Sequence, residues 1–329
     1  MSLYLLELKE SNHELAVAEA RAVGEVIEEG YGYAVVREPR VTRQLGASHR
    51  VSRYLGRSGA TVEKAVEKAR ELDVSLDGSF AVRARVHGDN GGDGDGVSST
   101  ELERRVGGVF AERAPVNLDA PDDVVRLIVS EGNVFFGLHV CETEGFEGRA
   151  PTEKPFFKPG SMSPVLARTL SNIAGGYDGA TVLDPTCGTG GVLVESALAG
   201  GRAVGGDASR EMVEGARTNL REFCEDADGR LFVGDARSLP LCDGSVDCAV
   251  TDLPYGRASH VEGESPETLA RSVLGELRRV VRSDGEGRVV AVSDGWLDET
   301  ARDAGFDVVE RVEDRVHRSL TRRVVVLDQ

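Results

Sequence analysis

The sequence predicts an α/β protein with an open, mostly parallel sheet in its carboxyl-terminal half and a smaller α+β region before it. Three observations lead to this fold class. An apolar run over residues 180–183 leads into a glycine-rich turn and then a helical stretch, the pattern of a buried strand followed by a helix. Three further apolar runs follow at strand-to-strand spacing, and each ends on an aspartate. Upstream of residue 146, shorter strand and helix patterns alternate.

Hydrophobic periodicity places the other elements. The predicted amino-terminal strands are 2–8, 31–36, 79–86, 124–129 and 133–140, and the predicted helices are 12–29, 61–72 and 99–112. Three late strands are predicted over 287–293, 306–312 and 322–327. We therefore expect an α/β unit over 1–55, a second domain over 56–145, a linker and connecting helix over 146–175, and a carboxyl-terminal domain over 176–329.

The glycine-rich turn covers Asp184–Gly191 and reads D-P-T-C-G-T-G-G. Glycines let the backbone approach a ligand closely, and the first N–H groups of the following helix point at whatever binds there. Such a turn alone is a weak signal, because dinucleotide enzymes and ordinary tight turns share it. The strand-end aspartates Asp207, Asp235 and Asp252 strengthen it, because ligands of open α/β sheets sit at the carboxyl ends of the strands. One such aspartate alone indicates a helix cap, but four at consecutive strand ends favour a binding site.

The motif series resembles that of S-adenosyl-L-methionine (SAM)-dependent amino-methyltransferases. It consists of D-P-x-C-G-x-G over 184–190, the two middle strand-end aspartates, and D-L-P-Y over 252–255. Residues 155–168 and the terminal H-R-S-L-T-R over 317–322 narrow the resemblance to the archaeal-type tRNA guanosine N2-methyltransferases acting at position 10. The resemblance spans essentially the whole chain. One position departs from the pattern, because Leu253 stands where the family has a proline.

This resemblance implies a Rossmann-like methyltransferase domain with a seven-stranded sheet whose last strand is antiparallel, SAM as cofactor, and no metal. It places Asp184 near the methionyl ammonium of SAM, Asp207 on the ribose hydroxyls, and Asp235 with the Ala236 backbone on the adenine edge. The implied cofactor-binding residues are Asp184, Pro185, Cys187, Gly188, Gly190, Asp207, Asp235 and Ala236.

The implied catalytic residues are Asp252, Leu253 and Tyr255. A guanine amine is a poor nucleophile because its lone pair is delocalised into the ring. Two acceptors, the Asp252 carboxylate and the Leu253 carbonyl, would hold the amine N–H groups and turn the lone pair toward the methyl donor. Tyr255 would stack on the extruded base, whose unstacking costs a few kcal/mol. The residues leave open whether Asp252 takes the leaving proton or only orients the amine.

Charge indicates where RNA would bind. The chain has a net charge of −17, yet residues 1–88 carry 13 acidic and 13 basic residues, so the excess lies downstream. Such an acidic balance is typical either of proteins kept soluble in a very salty cytosol or of proteins that avoid polyanions. Six arginines face one acid over residues 37–57, which indicates a local RNA-binding strip, with a solvated face as the alternative. The predicted RNA-binding residues are Arg50, Arg53, Arg57, Arg83 and Arg85.

The order of elements over 56–145 resembles a THUMP domain, an RNA-binding module, which follows a ferredoxin-like unit over 1–55. The five cysteines form no C-x-x-C pair and indicate buried thiols of an intracellular, cytoplasmic protein. No apolar run is long enough for a membrane span. We expect tRNA as the partner and a monomer, with or without a small activating protein. Two alternatives stay open: an amino-methyltransferase acting on rRNA, DNA adenine or a protein glutamine, and a non-catalytic RNA-binding subunit.

Overall fold

The computed structural model describes residues 2–88, 97–143, 145–224, 230–253, 265–284, 287–293, 295–317 and 320–329. The chain divides into two compact units. Unit 1 comprises Met1–Arg43 and Ser48–Thr143, and unit 2 comprises Gln44–Ala47 and Glu144–Gln329. The α/β fold class with two mixed sheets is confirmed.

Unit 1 is built on one seven-stranded sheet. Its elements are β1 (Leu3–Leu8), α1 (His13–Val23), β2 (Glu25–Gly30), β3 (Tyr33–Arg37), β4 (Ser48–Gly59), α2 (Val62–Glu71), β5 (Phe80–Val86), α3 (Ser99–Phe110), β6 (Asp123–Ser130) and β7 (Asn133–Glu142). The strand order is β2-β3-β1-β4-β7-β6-β5, and β5–β6 is the one parallel pair among the described residues. Helices α2 and α3 cover one face, where Phe80, Phe110 and Phe136 lie in the core.

The helix predicted over 12–29 is too long. α1 ends at Val23, and the remaining residues form β2, which pairs with β3. The break falls at Gly24, whose backbone is extended. A side chain there would meet Val36 and the carbonyl of Arg37, so glycine permits the chain to turn closely along β3.

The predicted boundary at residue 55 does not separate two units. It falls inside β4, a strand of 12 residues that the sequence analysis missed. β4 pairs with β1 on one side and with β7 on the other, so its ladder hydrogen bonds join the two predicted domains in one sheet. The seven strands β1–β7 therefore share one sheet.

Unit 2 contains the predicted sheet. Its elements are α4 (Pro164–Ala174), β8 (Thr181–Asp184), α5 (Gly191–Leu198), β9 (Arg202–Asp207), α6 (Arg210–Phe223), β10 (Arg230–Val233), β11 (Cys248–Asp252), α7 (Pro266–Val280), β12 (Val289–Ser293), α8 (Leu297–Asp303), β13 (Asp307–His317) and β14 (Leu320–Asp328). The order is β10-β9-β8-β11-β12-β14-β13. The first five are parallel, and β14, last in the chain, is antiparallel to both of its neighbours, as predicted.

The sheet order fixes where a ligand can bind. From β8 the chain proceeds to β9 and β10 on one side, then returns to β11 and β12 on the other. β8 and β11 therefore flank the topological switch point, where open α/β sheets bind their ligands. Asp184 and Asp252 are the last residues of these two strands.

The segment over 146–175 is not a linker. It belongs to unit 2, and its helix α4 is buried along most of its length. Ser163 caps that helix by accepting a hydrogen bond from Leu166 N. The short segment Gln44–Ala47 also belongs to unit 2, because Gln44 O accepts hydrogen bonds from Arg168 and Asn172 of α4.

Candidate cofactor and substrate site

The glycine loop after β8 is shaped by backbone hydrogen bonds. Cys187 N donates to Gly206 O at 2.8 Å, and Gly190 N donates to Cys187 O at 2.7 Å. Gly188 and Gly190 have φ values of +51° and +77°, which favour glycine. A side chain at Gly190 would contact Ala216 of α6, whereas space is open beside Gly188. The loop therefore offers bare backbone to a ligand at Gly188.

The loop also contains a buried proline and a buried thiol. Pro185 is buried next to Asp184, and Cys187 is 5% exposed. Burial raises the pKa of the Cys187 thiol far above its usual range, and the charges of Asp184 and Asp207 raise it further. The thiol is protonated at neutral pH, so Cys187 acts as a small packing residue of the loop rather than as a nucleophile.

Asp207, at the end of β9, holds the loop from the neighbouring strand. Its Oδ2 accepts a hydrogen bond from Gly188 N at 3.0 Å, and its Oδ1 accepts one from Ser209 N at 2.8 Å. A carboxylate oxygen can accept more than one hydrogen bond, so both oxygens keep capacity for a ligand hydroxyl. This geometry is compatible with the predicted ribose contact.

Asp184 is buried beneath the loop. Burial raises the pKa of its carboxyl to about 8, the hydrogen bond from Thr186 N acts against this, and the charges of Asp252 and Asp207 raise it further. Two further carboxyl groups therefore lie close enough to Asp184 to disfavour its negative charge. Such a cluster favours a cationic ligand over an anionic one.

Asp252 ends β11 and lines the same pocket as Asp184, Thr186 and Gly188. Its Oδ1 is buried and has no hydrogen-bond partner among the described residues. Burial raises the pKa of the Asp252 carboxyl to about 6, and the charge of Arg322 acts against this shift. A buried acceptor without a donor is costly, so this oxygen is poised for an N–H group of a ligand.

Leu253 is 1% exposed, and its N–H donates to Val292 O at 2.9 Å. A proline is tolerated at such a position only where φ lies near about −65° and the N–H is unpaired. The second requirement is not met, because the Leu253 N–H bonds the carbonyl of Val292 in β12. Pro254 and Tyr255, the rest of the predicted catalytic motif, lie outside the described residues.

Two predicted adenine contacts lie apart from this pocket. Asp235 follows β10, two strands from β8 in the sheet, and its side chain is 49% exposed. Its carboxylate accepts hydrogen bonds from the backbone N–H and the guanidinium of Arg237, which lower its pKa. Neither Asp235 nor Ala236 lines the pocket that contains Asp184 and Asp252.

The sequence analysis missed how the segment before α4 forms one wall of the pocket. Residues 158–162 line it together with the glycine loop. Asn219 of α6, which is fully buried, joins the two: its amide exchanges hydrogen bonds with the backbone of Phe156 and donates to Thr189 O. Thr189 Oγ1 also lies 3.1 Å from Ser161 Oγ. In the sequence, this segment was noted only because residues 155–168 resemble the methyltransferase family.

Arg322 was missed as a site residue, although it ends the terminal H-R-S-L-T-R motif. It lies in β14 opposite Asp314, and its Nε is 3.3 Å from Asp314 Oδ2. Its charge lowers the pKa of Asp252. His317 is in β13, and its side chain lies outside the described atoms.

The predicted arginine strip of unit 1 is only partly free. Arg57 forms an ion pair with Glu28, and Arg83 donates to Leu118 O at 2.6 Å. Arg50 bonds both Glu7 and Glu142, at 3.2 and 2.9 Å. Arg53 is exposed and forms no ion pair among the described residues. The five predicted RNA-binding residues are therefore not equivalent.

Glu7 explains why two of these arginines are occupied. Its side chain is 2% exposed and accepts from Arg50, Arg85 and Arg126, which come from three different strands. Burial acts to raise the pKa of Glu7, but the three guanidinium groups outweigh it and lower that pKa. Arg50 and Arg85 thus compensate a buried charge, a structural role that the local sequence pattern did not reveal.

The described residues contain no cluster of three or more His, Cys, Asp or Glu side chains placed to hold a metal ion. Among the same residues, no helix has both the length and the apolar character that crossing a membrane requires.

Residues 151–324 match the family model of the RMKL-like methyltransferase domain, UPF0020. The chain is 36% identical to the tRNA (guanine(10)-N2)-dimethyltransferase of Methanothermobacter thermautotrophicus, over 98% of both chains. It is 29% identical to the enzyme of that name from Pyrococcus abyssi, over 96% of both. A tRNA (guanine(6)-N2)-methyltransferase of Thermus thermophilus is 33% identical over 56% of this chain and 54% of its own.

Solved structures agree with the fold. TrmN from Thermus thermophilus superposes with a TM-score of 0.51 at 24% identity, covering 99% of both chains. A putative methyltransferase complexed with S-adenosylhomocysteine (SAH) gives a TM-score of 0.53 at 14% identity, covering 99% of this chain and 98% of that one. At these identities the likeness is one of fold.

Proposed function

The chain belongs to the family of the archaeal tRNA (guanine(10)-N2)-dimethyltransferases, and we propose that it methylates the exocyclic N2 amine of a guanosine in tRNA. SAM is the methyl donor of this family. One observation of the structure carries the proposal furthest. At the switch point of the sheet, Asp252 presents a buried carboxylate oxygen that has no donor among the described residues. An amine N–H supplies the missing donor.

The donor set of the pocket fits the cofactor. The charges of Asp207 and Asp252 both act on the carboxyl group of Asp184, so the pocket favours a cation. SAM carries two cationic groups, a sulfonium and an ammonium. When bound, SAM supplies an activated methyl group that needs no further activation by the protein. The protein's share is placement: Asp184 lies where an ammonium would be neutralised, Asp207 accepts ribose hydroxyls, and Gly188 leaves space for close approach.

The substrate amine is oriented by two acceptors of this chain. Asp252 accepts one N–H through its carboxylate, and the Leu253 carbonyl accepts the other. Both bonds are stronger to a pyramidal, positively charging nitrogen than to the planar ground state, so they act mainly in the transition state. With its pKa raised to about 6, Asp252 is ionised at neutral pH and is also basic enough to receive a proton.

Unit 1 is proposed to be the tRNA-binding module, with a THUMP-like region over 56–145. Basic and acidic residues balance over residues 1–88 of this unit, with 13 of each, whereas the rest of the chain carries the whole net charge of −17. Arg53 is the strongest candidate phosphate contact, because it is exposed and has no ion pair among the described residues. We further propose that the enzyme is cytoplasmic and monomeric. Its target is the guanosine at position 10, which receives one or two methyl groups.

The proposal is tested by single-turnover methylation of two tRNA transcripts that differ at the target nucleotide, which is guanosine in one and inosine in the other. Inosine lacks the exocyclic amine, so methylation is expected with guanosine only. Nucleoside mass spectrometry identifies the product and counts the methyl groups. Methyl transfer to the inosine tRNA would exclude the amine as the acceptor.

The residue assignment is tested in parallel. Asp252→Asn is expected to lower the rate at least a hundredfold while SAH and tRNA affinities stay within about threefold, because the lost interaction acts mainly in the transition state. Asp243→Asn is the matched control, because Asp243 is an exposed aspartate of the same unit that pairs with Arg279. Methylation of rRNA, DNA adenine or a glutamine peptide, with none of tRNA, would favour the alternative amino-methyltransferase.

A further inference from the structure

Lys154 is a buried lysine that neither the proposed reaction nor the fold explains. The residue is 6% exposed. Within the described part of the chain, its ammonium has no hydrogen-bond or ion-pair partner. Burial lowers its pKa, the charge of Glu195 acts against this, and the charge of Arg149 adds to it. A largely buried side chain whose ammonium has no direct ion pair is costly, and a ligand of opposite charge would offset that cost.

The charges around Lys154 do not balance. Glu195 on α5 is 1% exposed and is shared by two arginines, Arg149 and Arg168, at 2.9 Å each. Arg168 is fully buried. With Lys154, three cationic groups therefore surround one carboxylate among the described residues. The surplus positive charge makes the region suited to an anion, whereas the three carboxyl groups at the strand ends suit a cation.

The lysine lies at the uncapped start of α5. A methyl group built on Gly191, the first residue of that helix, would lie 3.4 Å from Lys154 Nζ. The residue before it, Gly190, provides no side-chain cap, so the first N–H groups of the helix have no side-chain acceptor at that position. Gly191 and its neighbour Val192 also line the pocket that contains Asp184 and Asp252. The start of α5 therefore borders both the proposed cofactor pocket and Lys154, which does not itself line the pocket.

We infer that Lys154 and the amino terminus of α5 bind the methionyl carboxylate of SAM. The inference rests on the proposed placement of the cofactor along the glycine loop. The amino-acid end of SAM carries an ammonium and a carboxylate on the same carbon, so its binding site needs an acceptor and a cation side by side. Asp184 provides the acceptor, and Lys154 provides the cation near the partial positive charge of the helix terminus. Lys158 is the rival cation, because it also lines the pocket, but it is paired with Glu211 at 2.6 Å.

The experiment pairs a change in the protein with a change in the ligand. Isothermal titration calorimetry measures the affinities of SAM and decarboxylated SAM, which lacks only the carboxylate, for the parent protein and for Lys154→Met. Methionine has a similar length and no charge, so the fold is expected to persist, which unfolding in urea checks. We expect the parent to prefer SAM over decarboxylated SAM by at least tenfold, and Lys154→Met to reduce that preference to about twofold or less.

Two comparisons make the outcome decisive. Lys158→Met is expected to keep the parent's preference for SAM. The inference would be overturned if Lys158→Met lost the preference for SAM while Lys154→Met kept it. It would also be overturned if Lys154→Met bound SAM and decarboxylated SAM more weakly by the same factor. Placement of the cofactor is tested separately by Asp207→Ala, which is expected to weaken both ligands more than tenfold. Unchanged affinity in Asp207→Ala would contradict the placement rather than the role of Lys154.

Discussion

The hydroxyl of Thr186 lies 2.9 Å from the hydroxyl of Thr251, across the switch point of the sheet. Thr186 also donates to the backbone carbonyl of Asp252 at 3.3 Å, and its backbone N–H donates to Asp184 Oδ1 at 3.1 Å. Thr251 is fully buried. Thr186 therefore joins the glycine loop to the end of β11, where the proposed substrate acceptor Asp252 lies.

Thr186→Val is expected to slow methyl transfer at least fivefold while SAM affinity changes less than about threefold. Valine keeps the shape but leaves the buried Thr251 hydroxyl without its partner, which costs about 1–3 kcal/mol of stability. Thr186→Ser restores the hydroxyl and is expected to restore the rate. Thr218→Val removes a hydroxyl from the exposed face of α6 and serves as the control. Equal rates for Thr186→Val and the control would show that the link does not position Asp252.

Leu253→Pro, which restores the more common family motif, is expected to destabilise the protein by about 1–3 kcal/mol. Proline removes the N–H that bonds Val292 O and leaves a buried carbonyl unsatisfied. Leu253→Met, which conserves volume and the N–H, is expected to cost less than about 1.5 kcal/mol. Urea unfolding of both variants measures the difference. A proline variant as stable as the methionine variant would mean that the bond contributes nothing.

The rate of methyl transfer is expected to rise with pH and level off above about pH 6. The proposed role of Asp252 needs the ionised carboxylate, and burial raises its pKa to about 6. Removal of the Arg322 charge in Arg322→Met takes away an interaction that lowers this pKa, so the rise moves to higher pH. Asp184, whose pKa is raised by the charge of Asp252, remains unchanged in this variant.

Arg323→Met is the control for this pH profile. Arg323 is the next residue on β14, and it pairs with Glu313 at 3.3 Å. Its profile of single-turnover rate against pH is expected to coincide with that of the parent. A profile that moves equally in both variants would assign the effect to the general charge of the strand rather than to Arg322.

Arg53 and Arg50 are expected to separate RNA binding from stability. Arg53→Ala is expected to weaken tRNA binding and reduce the slope of log affinity against log salt by about one, with no change in stability. Arg50→Ala is expected to destabilise unit 1 by about 1–3 kcal/mol, because the buried Glu7 loses one of its partners. Fluorescence anisotropy at several salt concentrations and urea unfolding measure the two effects. Equal losses of RNA affinity and stability in Arg53→Ala would give it a structural role.

The sequence predicted those parts of the site that are local in the chain. The strand, glycine loop and helix over 180–198 show their pattern within a few residues, and each strand-end aspartate follows its own apolar run. The fold class followed because these units repeat. The motif resemblance then identified the cofactor and the substrate class.

What the sequence did not reveal depends on partners far along the chain. β4 was missed because its arginines interrupt the apolar pattern, and Glu7, Glu28 and Glu142, which neutralise them, come from other strands. Asn219 is separated by 63 positions from Phe156, whose backbone it bonds. Nothing in the local pattern around Lys154 predicts its role either, because the burial of its side chain is visible only in the folded structure.

The placement of Gln44–Ala47 constrains the order in which the protein is made. Gln44 leaves the ribosome long before Arg168 and Asn172, which lie 124 and 128 positions later and donate to its carbonyl. During translation, the apolar side chain of Leu45, which is 1% exposed in the finished fold, must wait for α4 to emerge. If the gene were cut after residue 143, one fragment would contain Gln44–Ala47 and the other would contain α4. Neither fragment alone could form the hydrogen bonds from α4 to the Gln44 carbonyl.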